Sequence, residues 1–297
     1  MISVQLQGGL GNQLFQIMAL IAHSIRTGIP FVFPEQKFNY EGAKRPTYWT
    51  TIFRNIPTNN DTKMIQSYPK YSQDDRFYAP IPDVSGDLLV QGYFQGYPYF
   101  EDVYDSILDI MGLLNIRREV LYKYVTETHN TIRVSMHFRR GDYIKNRCYH
   151  PVLTSYYYKN ALVNIIKYLE CETDKQIQII CIYETEDKDD VLSIVQQLRE
   201  MTDTWEYPKL EYITELYLHL DDWEQLLVMS GCDHHIIANS TFSWWAAYLN
   251  PSLSKMVFYP DIWHGHQLYY IETNGLQVPG WYCISAQDPD IKMCDCW

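Results

Sequence analysis

Apolar and polar residues alternate from Val134 to Phe138, with Ser135 and His137 between them, and this period of two predicts a strand that ends at the turn signal Gly141-Asp142. The same reading places a strand over Ile2 to Leu6. It is followed by a broad apolar helical face made of Leu14, Phe15, Ile17, Met18, Ile21, Ala22 and Ile25. Gly28 is placed to cap that helix, and Ile29 to Phe33 reads as a second strand that closes a βαβ unit. From about Pro34 to Asp87 the chain is polar, dotted with proline and poorly periodic, which predicts irregular connections with short helical pieces. Leu88 to Gln95 reads as a strand running into the aromatic loop Gly96-Tyr97-Pro98-Tyr99-Phe100, and helical segments follow to about Tyr124.

The second half alternates more regularly. Thr154 is positioned to cap a helix that carries Tyr157, Ala161, Leu162, Ile165, Ile166 and Leu169. Ile177 to Tyr183 is a strand, Val191 to Leu198 a helix, Leu210 to Ile213 a short strand, Asp221 to Met229 a helix and His235 to Ala238 a strand. A repeating β-α order predicts an α/β fold with parallel sheets and loops gathered on one edge. A chain of 297 residues suffices for two such domains. The polar link Glu127 to Thr131 divides them into 1–130 and 131–297, with the last residues packing back on the first domain.

Composition narrows the function classes. The formal net charge of −12 argues against nucleic acid as a partner. Yet Arg139, Arg140, Lys145 and Arg147 cluster against a single acid, Asp142, and a basic pocket in an acidic protein suits a phosphate or pyrophosphate. The Arg-Gly-Asp tripeptide at 140–142 matches an adhesion signal, but it leaves what reads as a buried strand. Seven cysteines, an odd number without disulfide-scaffold spacing, predict mostly reduced thiols, and Cys294 with Cys296 makes a poor zinc site. The N-terminus has neither the basic nor the long apolar region of a signal peptide, and no window is long and apolar enough to span a membrane, so a cytoplasmic location is expected.

Three loops carry candidate chemistry. Gly8-Gly9-Leu10-Gly11-Asn12 lies between a strand and a helix, where backbone N–H groups can approach an anion. It is not a Walker loop, and the dinucleotide fingerprint fails at Leu14, although Glu35 falls near the place of a ribose-binding acid. A glycine turn without a ligand is the competing reading. Glu184-Thr185-Glu186-Asp187 presents acids at the end of a strand, suited to a base, a ribose hydroxyl or a helix cap. Asn239-Ser240-Thr241-Phe242-Ser243 opens a helix with hydroxyls and free amides, a second anion site by the same physics.

Together, Gly8 to Gln16, His137 to Tyr143 and Asn239 to Trp245 resemble, in order and separation, the α-1,2-fucosyltransferases of glycosyltransferase family 11, in the soluble bacterial or viral form. The resemblance covers nearly the whole chain. It implies a GT-B fold of two Rossmann-like domains with the active site in the cleft between them. It also implies a GDP-L-fucose co-substrate, a galactose-containing glycan acceptor, inversion at the anomeric carbon, and neither metal nor cofactor. By the family's pattern Arg139 is the catalytic residue, stabilising the departing diphosphate. His137, Arg140, Ser240, Thr241 and Phe242 also bind the donor, and Gly9, Gly11 and Asn12 face it or the acceptor. Where many relatives carry Ser-Asp-Asp, this chain has Thr185-Glu186-Asp187, so the nucleotide-contacting acid is Glu186 or Asp187. Arg140 has an alternative structural role, pairing with Asp142. The general base is unassigned. Another GDP-hexose donor, an NAD-dependent oxidoreductase and a non-catalytic carbohydrate-binding protein are the competing readings.

Overall fold

The computed structural model describes residues 1–39, 44–126, 130–169, 175–203 and 210–287. The chain falls into two compact units, the first made of Met1–Val120 with Tyr270–Val278 and the second of Leu121–Tyr269 with the chain from Pro279 onward. The division thus comes at Val120 rather than at residue 130, within a helix rather than at the polar link, most of which lies outside the described residues. Each unit is built on a parallel sheet, the α/β, GT-B type of architecture that the β-α order predicts.

In unit 1, strand β1 (Ile2–Val4) leads through the glycine loop into helix α1 (Leu10–Thr27). Gly28 caps α1 in the left-handed conformation, φ 70°, and its N–H donates to Ser24 O at 2.8 Å. The expected strand Ile29 to Phe33 is shorter than its apolar pattern suggested. Pro30 and Pro34 leave one ladder contact, Ile2 opposite Phe31, before Phe33–Pro34 turns away to pair with Thr58–Asn59. The sheet is completed by β2 (Lys70–Ser72) and β3 (Leu88–Gln91) in the order β1-β3-β2. Strand β2 lies in the stretch expected to be irregular. An edge strand of three residues with one apolar side chain pairs through its backbone and leaves no hydrophobic period to read. Helices α2 (Tyr104–Met111) and α3 (Leu113–Tyr124) follow.

Unit 2 contains β4 (Thr131–His137), α4 (Gly141–Lys145), α5 (Ser155–Leu169), β5 (Gln176–Ile182), α6 (Lys188–Thr202), β6 (Leu210–Ile213), α7 (Asp222–Ser230), β7 (His234–Ile236), α8 (Thr241–Tyr248), β8 (Val257–Pro260) and β9 (Tyr282–Ile284). All six strands are parallel, in the order β6-β5-β4-β7-β8-β9. Counted within the unit this is 3-2-1-4-5-6, the doubly wound order whose direction reverses between the first and fourth strands. Val134, Met136, Ile177, Ile179, Ile236 and Phe258 from the strands pack with Tyr157, Ala161, Leu162 and Leu198 from the helices in one buried cluster. The dominance of β-branched and long aliphatic residues on these strands is what burial of a parallel sheet on both faces requires. Among the described residues no helix is long and apolar enough to cross a membrane.

Candidate functional site

The reversal of strand order in unit 2 falls between β4 and β7. Ligands of open α/β sheets bind beyond the carboxyl ends of the strands at this point, because the two following connections leave on opposite faces and open a crevice. The two flanking loops are the ones singled out by residue type, His137 to Tyr143 after β4 and Asn239 to Phe242 after β7.

Tyrosine hydroxyls fix the edges of this crevice. Tyr158, on α5, donates to His137 O at 3.1 Å, and Tyr157 donates to Ile237 O at 2.6 Å and to Phe258 O at 3.1 Å. Two adjacent helix residues therefore hold the carboxyl ends of β4, β7 and β8. Below them Ser135 Oγ and His235 Nδ1 are 2.8 Å apart, and Asn250 Nδ2 donates to His235 Nε2 at 2.9 Å. That leaves the Nδ1 proton of His235 facing Ser135, a buried and satisfied link between the two strands.

The Arg139 side chain is only 14% exposed and is held between the carboxylates of Asp142 and Glu184, with its guanidinium 4.9 Å from the centre of the Tyr143 ring. Tyr143 in turn donates to Asn239 O at 3.1 Å, and His150 stacks on the Tyr143 ring with centroids 4.5 Å apart. The two loops are thus tied across the crevice by Tyr143, whose ring also lies against the Arg139 cation.

Arg140 points elsewhere. It pairs with Asp190 and donates to Leu153 O at 3.1 Å, so its partner is not Asp142, whose carboxylate goes to Arg139. At 13% side-chain exposure Arg140 is also no part of an adhesion loop. Asp187, buried, accepts from the Gly141 N–H with both oxygens at 2.9 Å, holding the turn of the arginine loop. Glu186 is exposed. Of the acids in this stretch, the one that pairs with Arg139 is Glu184, two and three residues before Glu186 and Asp187. A short 3-10 turn, Thr185–Asp187, follows Glu184 and gives the acids of this stretch different partners.

Two buried polar atoms at the strand ends find no partner among the described residues, His137 Nδ1 and Asn239 Oδ1. Asn239 is fixed by its amide nitrogen, which donates to Pro151 O at 3.0 Å and Trp263 O at 3.2 Å. Burial, and secondarily the charge of Arg139, push the His137 pKa down to about 3, so the ring is neutral. Its face lies 5.2 Å from the ring of Phe242. Ser240 precedes α8 in extended conformation and its side chain makes no capping hydrogen bond, while Thr241 and Phe242 begin the helix. The first-turn N–H groups of such a helix have no intrahelical acceptor and carry partial positive charge. His264 completes the edge. Both of its ring nitrogens are buried without a partner among the described residues, and burial followed by the neighbouring His150 lowers its pKa to about 4. Sequence reasoning placed Glu184 in an acidic cluster and Tyr143 at the end of the arginine motif without giving either a contact to Arg139, and it missed His150 and His264, because a lone ring in a loop carries no period.

The glycine loop belongs to unit 1 and is considered by itself. Gly8 has φ 71°, and its carbonyl accepts from Gln13 Nε2 at 3.0 Å and Asn39 Nδ2 at 2.9 Å. Gly9 is the N-cap of α1, with open space where a Cβ would stand, Gly11 is buried in the first turn, and Asn12 accepts from Gln95 Nε2 at 3.0 Å. Among the described residues no group of three or more His, Cys, Asp or Glu side chains is placed to hold a metal ion.

The model of the family described as Glycosyl transferase family 11 matches residues 210–277. An Escherichia coli O-antigen biosynthesis glycosyltransferase, WbnK, is 32% identical over 300 residues, which cover 87% of this chain and 93% of the relative. An alpha-1,2-colitosyltransferase of Escherichia coli is 25% identical over 87% of this chain and 91% of its own length. A galactoside 2-alpha-L-fucosyltransferase of Caenorhabditis elegans is 25% identical over 88% of this chain and 72% of its own.

Proposed function

We propose that this chain, which belongs to glycosyl transferase family 11, transfers L-fucose from GDP-L-fucose to the 2-hydroxyl of a galactoside with inversion at the anomeric carbon. The observation that carries the reading is the placement of Arg139 and the N-terminus of α8 on opposite sides of the strand-order reversal, two positive features in a crevice of an acidic protein.

In the reaction the bond from the sugar C1 to the β-phosphate oxygen breaks and its electron pair leaves with GDP. The acceptor oxygen bonds to C1 from the opposite face and loses its proton, giving glycoside, GDP and H⁺. The transition state has oxocarbenium character and a growing charge on the β-phosphate. A guanidinium already positioned by Tyr143, and released from Glu184 as the diphosphate enters, stabilises that charge more than the ground state. The backbone N–H groups opening α8 and the Ser240 and Thr241 hydroxyls supply the other donors, and Phe242 with neutral His137 forms a wall for the nucleoside. Arg139 provides the cation, so the reading requires no metal.

The α-1,2 linkage is favoured by its recurrence in the names of two relatives that transfer different sugars. The same pair supports a second reading, a different GDP-hexose as donor. The test is a calorimetric titration with GDP in EDTA against UDP, ADP and NADH, followed by GDP-sugars with galactoside acceptors. Selective GDP binding and fucosyl transfer are expected, and Arg139→Ala is expected to lower turnover about 10²–10³-fold with the fold intact. Preference for NADH, or normal turnover in the variant, would overturn the reading.

A further inference from the structure

Two groups meet the ring of Tyr143. The Arg139 guanidinium lies 4.9 Å from its centre, and the His150 imidazole stacks on it with planes 16° from parallel. The Tyr143 hydroxyl is bound elsewhere, to Asn239 O. The tyrosine is thus held at its tip by a hydrogen bond and across its face by His150. A planar ring needs both, because one bond at the tip leaves it free to rock about that point.

His150 lies on the loop after α4, and a loop side chain keeps a fixed place only where its backbone is secured. Here several backbone bonds secure it. The His150 N–H donates to Asn146 O at 2.9 Å. The segment Trp263–Gln267, which follows β8, crosses the loop and donates to it twice, from Gly265 N to Tyr149 O at 2.8 Å and from Gln267 N to Cys148 O at 3.0 Å. Asn239 joins the two, since its amide donates both to Pro151 O and to Trp263 O while its carbonyl takes the Tyr143 hydroxyl. His264, on the crossing segment, brings its ring to 6.2 Å from that of His150.

Gly265 shows how close the crossing is. Its φ of −78° is ordinary, so the position does not call for glycine on conformational grounds. A Cβ there would stand 2.3 Å from Cys148 O and 2.7 Å from Cys148 C, backbone atoms that cannot swing aside. Glycine is what lets the two backbones touch.

The state of the His150 ring suits a support better than a second cation for a diphosphate. Burial lowers its pKa, with Asp142 and Arg139 acting on it in opposite senses, so at neutral pH the ring is uncharged. We propose that His150 is a positioning residue for Arg139, acting through the Tyr143 ring, and that the Trp263–Gln267 segment holds it in place. The consequence for turnover rests on the transferase reading; the placement of the guanidinium does not. Loss of the stack leaves the tie to Asn239, so the loop spacing and donor binding persist while the cation moves away from the charge it stabilises.

The experiment compares His150→Ala, which removes the stack, with His150→Phe, which keeps a neutral ring, in the full chain. One readout is steady-state kinetics with GDP-L-fucose and a galactoside. The other is the Nε–H NMR signal of Arg139 in arginine-labelled protein, assigned with Arg139→Lys, whose chemical shift reports the ring current of Tyr143. His150→Ala is expected to move that signal and to lower kcat about 10–100-fold with donor KM changed less than about threefold, and His150→Phe to return both toward wild type. Gly265→Ala, which alters neither ring, is expected to move the signal in the same direction; if it does not fold, the His150 pair carries the test. An unmoved Arg139 signal in His150→Ala would overturn the proposal. Equal loss of kcat in both His150 variants would do so too, by putting His150 on the substrate itself, as would a rise in KM at unchanged kcat. A folded Gly265→Ala with the wild-type signal would strike the crossing segment from it. A signal that moves in His150→Ala and returns in His150→Phe, in a protein that does not turn over GDP-L-fucose, would leave the positioning standing and remove the donor reading.

Discussion

The Tyr143 hydroxyl donates to the carbonyl of Asn239 at 3.1 Å, joining the loop that carries Arg139 to the loop that opens α8. The same ring lies against the Arg139 guanidinium, so one residue sets both the width of the crevice and the position of its cation. Tyr143→Phe keeps the ring and removes the tie. It is expected to lower stability by about 1 kcal/mol and to raise KM for the donor severalfold more than it lowers kcat, because both donor-facing loops lose their spacing. Steady-state kinetics with a urea titration of the same variant separate the two effects.

Gly141 is strained by design of the loop, with φ +26°, and a Cβ there would stand 3.0 Å from Glu184 Oε2 and 3.6 Å from Arg139 Nη1. Gly141→Ala is therefore expected to displace the cation and cut activity at least tenfold, with about 1–2 kcal/mol of lost stability. Asp187→Asn tests the same turn from below. Only one of its two terminal atoms can still accept from the Gly141 N–H, so a smaller loss of the same kind is expected. If either variant retains full donor affinity, the loop does not position the donor.

His137 and His264 are held neutral, with pKa values lowered to about 3 and about 4 from an ordinary 6.5. Each binds fewer protons folded than unfolded. Their contribution to stability is therefore complete above pH 6.5 and is lost as pH falls toward 4 and then 3. Urea midpoints measured from pH 7 to pH 4 are expected to fall more steeply for the wild-type protein than for His137→Gln, by up to about 1.4 kcal/mol per pH unit. Parallel curves would show that His137 does not titrate as its burial requires.

The glycine loop separates backbone strain from contact. At Gly8, with φ 71°, a side chain would collide with the Asn12 amide, so Gly8→Ala is expected to cost about 1–2 kcal/mol in thermal or chemical unfolding. Gly9 has an ordinary φ of −79° and open space around it, so Gly9→Ala is expected to leave stability within about 0.5 kcal/mol. A fall in kcat/KM for Gly9→Ala at unchanged stability would place a substrate against this loop; unchanged kinetics would remove it from the site.

Much of this arrangement was legible in the chain. The alternation around Val134 to Phe138 and the long face of α1 mark buried elements because burial imposes a period on side chains. The two loops beyond β4 and β7 stand out because arginines, glycine and hydroxyl residues there follow apolar strands. By contrast β2, β8 and β9 were not foreseen. Lys70–Ser72 and Tyr282–Ile284 are three-residue strands, too short to show a period, and Val257–Pro260 is a short apolar run that alone does not declare its partner.

The sequence by itself determined the α/β class, the order of the longer strands and helices, and which loops carry charge and glycine, since each of these follows from local periodicity and local chemistry. Only the tertiary structure decided who pairs with whom. Asp142 and Glu184 share Arg139 while Arg140 goes to Asp190, and Asp187 serves the Gly141 backbone. Arg139 and Arg140 take different partners although adjacent, and two of the acids that meet them, Glu184 beyond β5 and Asp190 on α6, arrive from 45 and 50 positions away. Such pairings depend on sheet order and loop direction, which a local pattern does not encode.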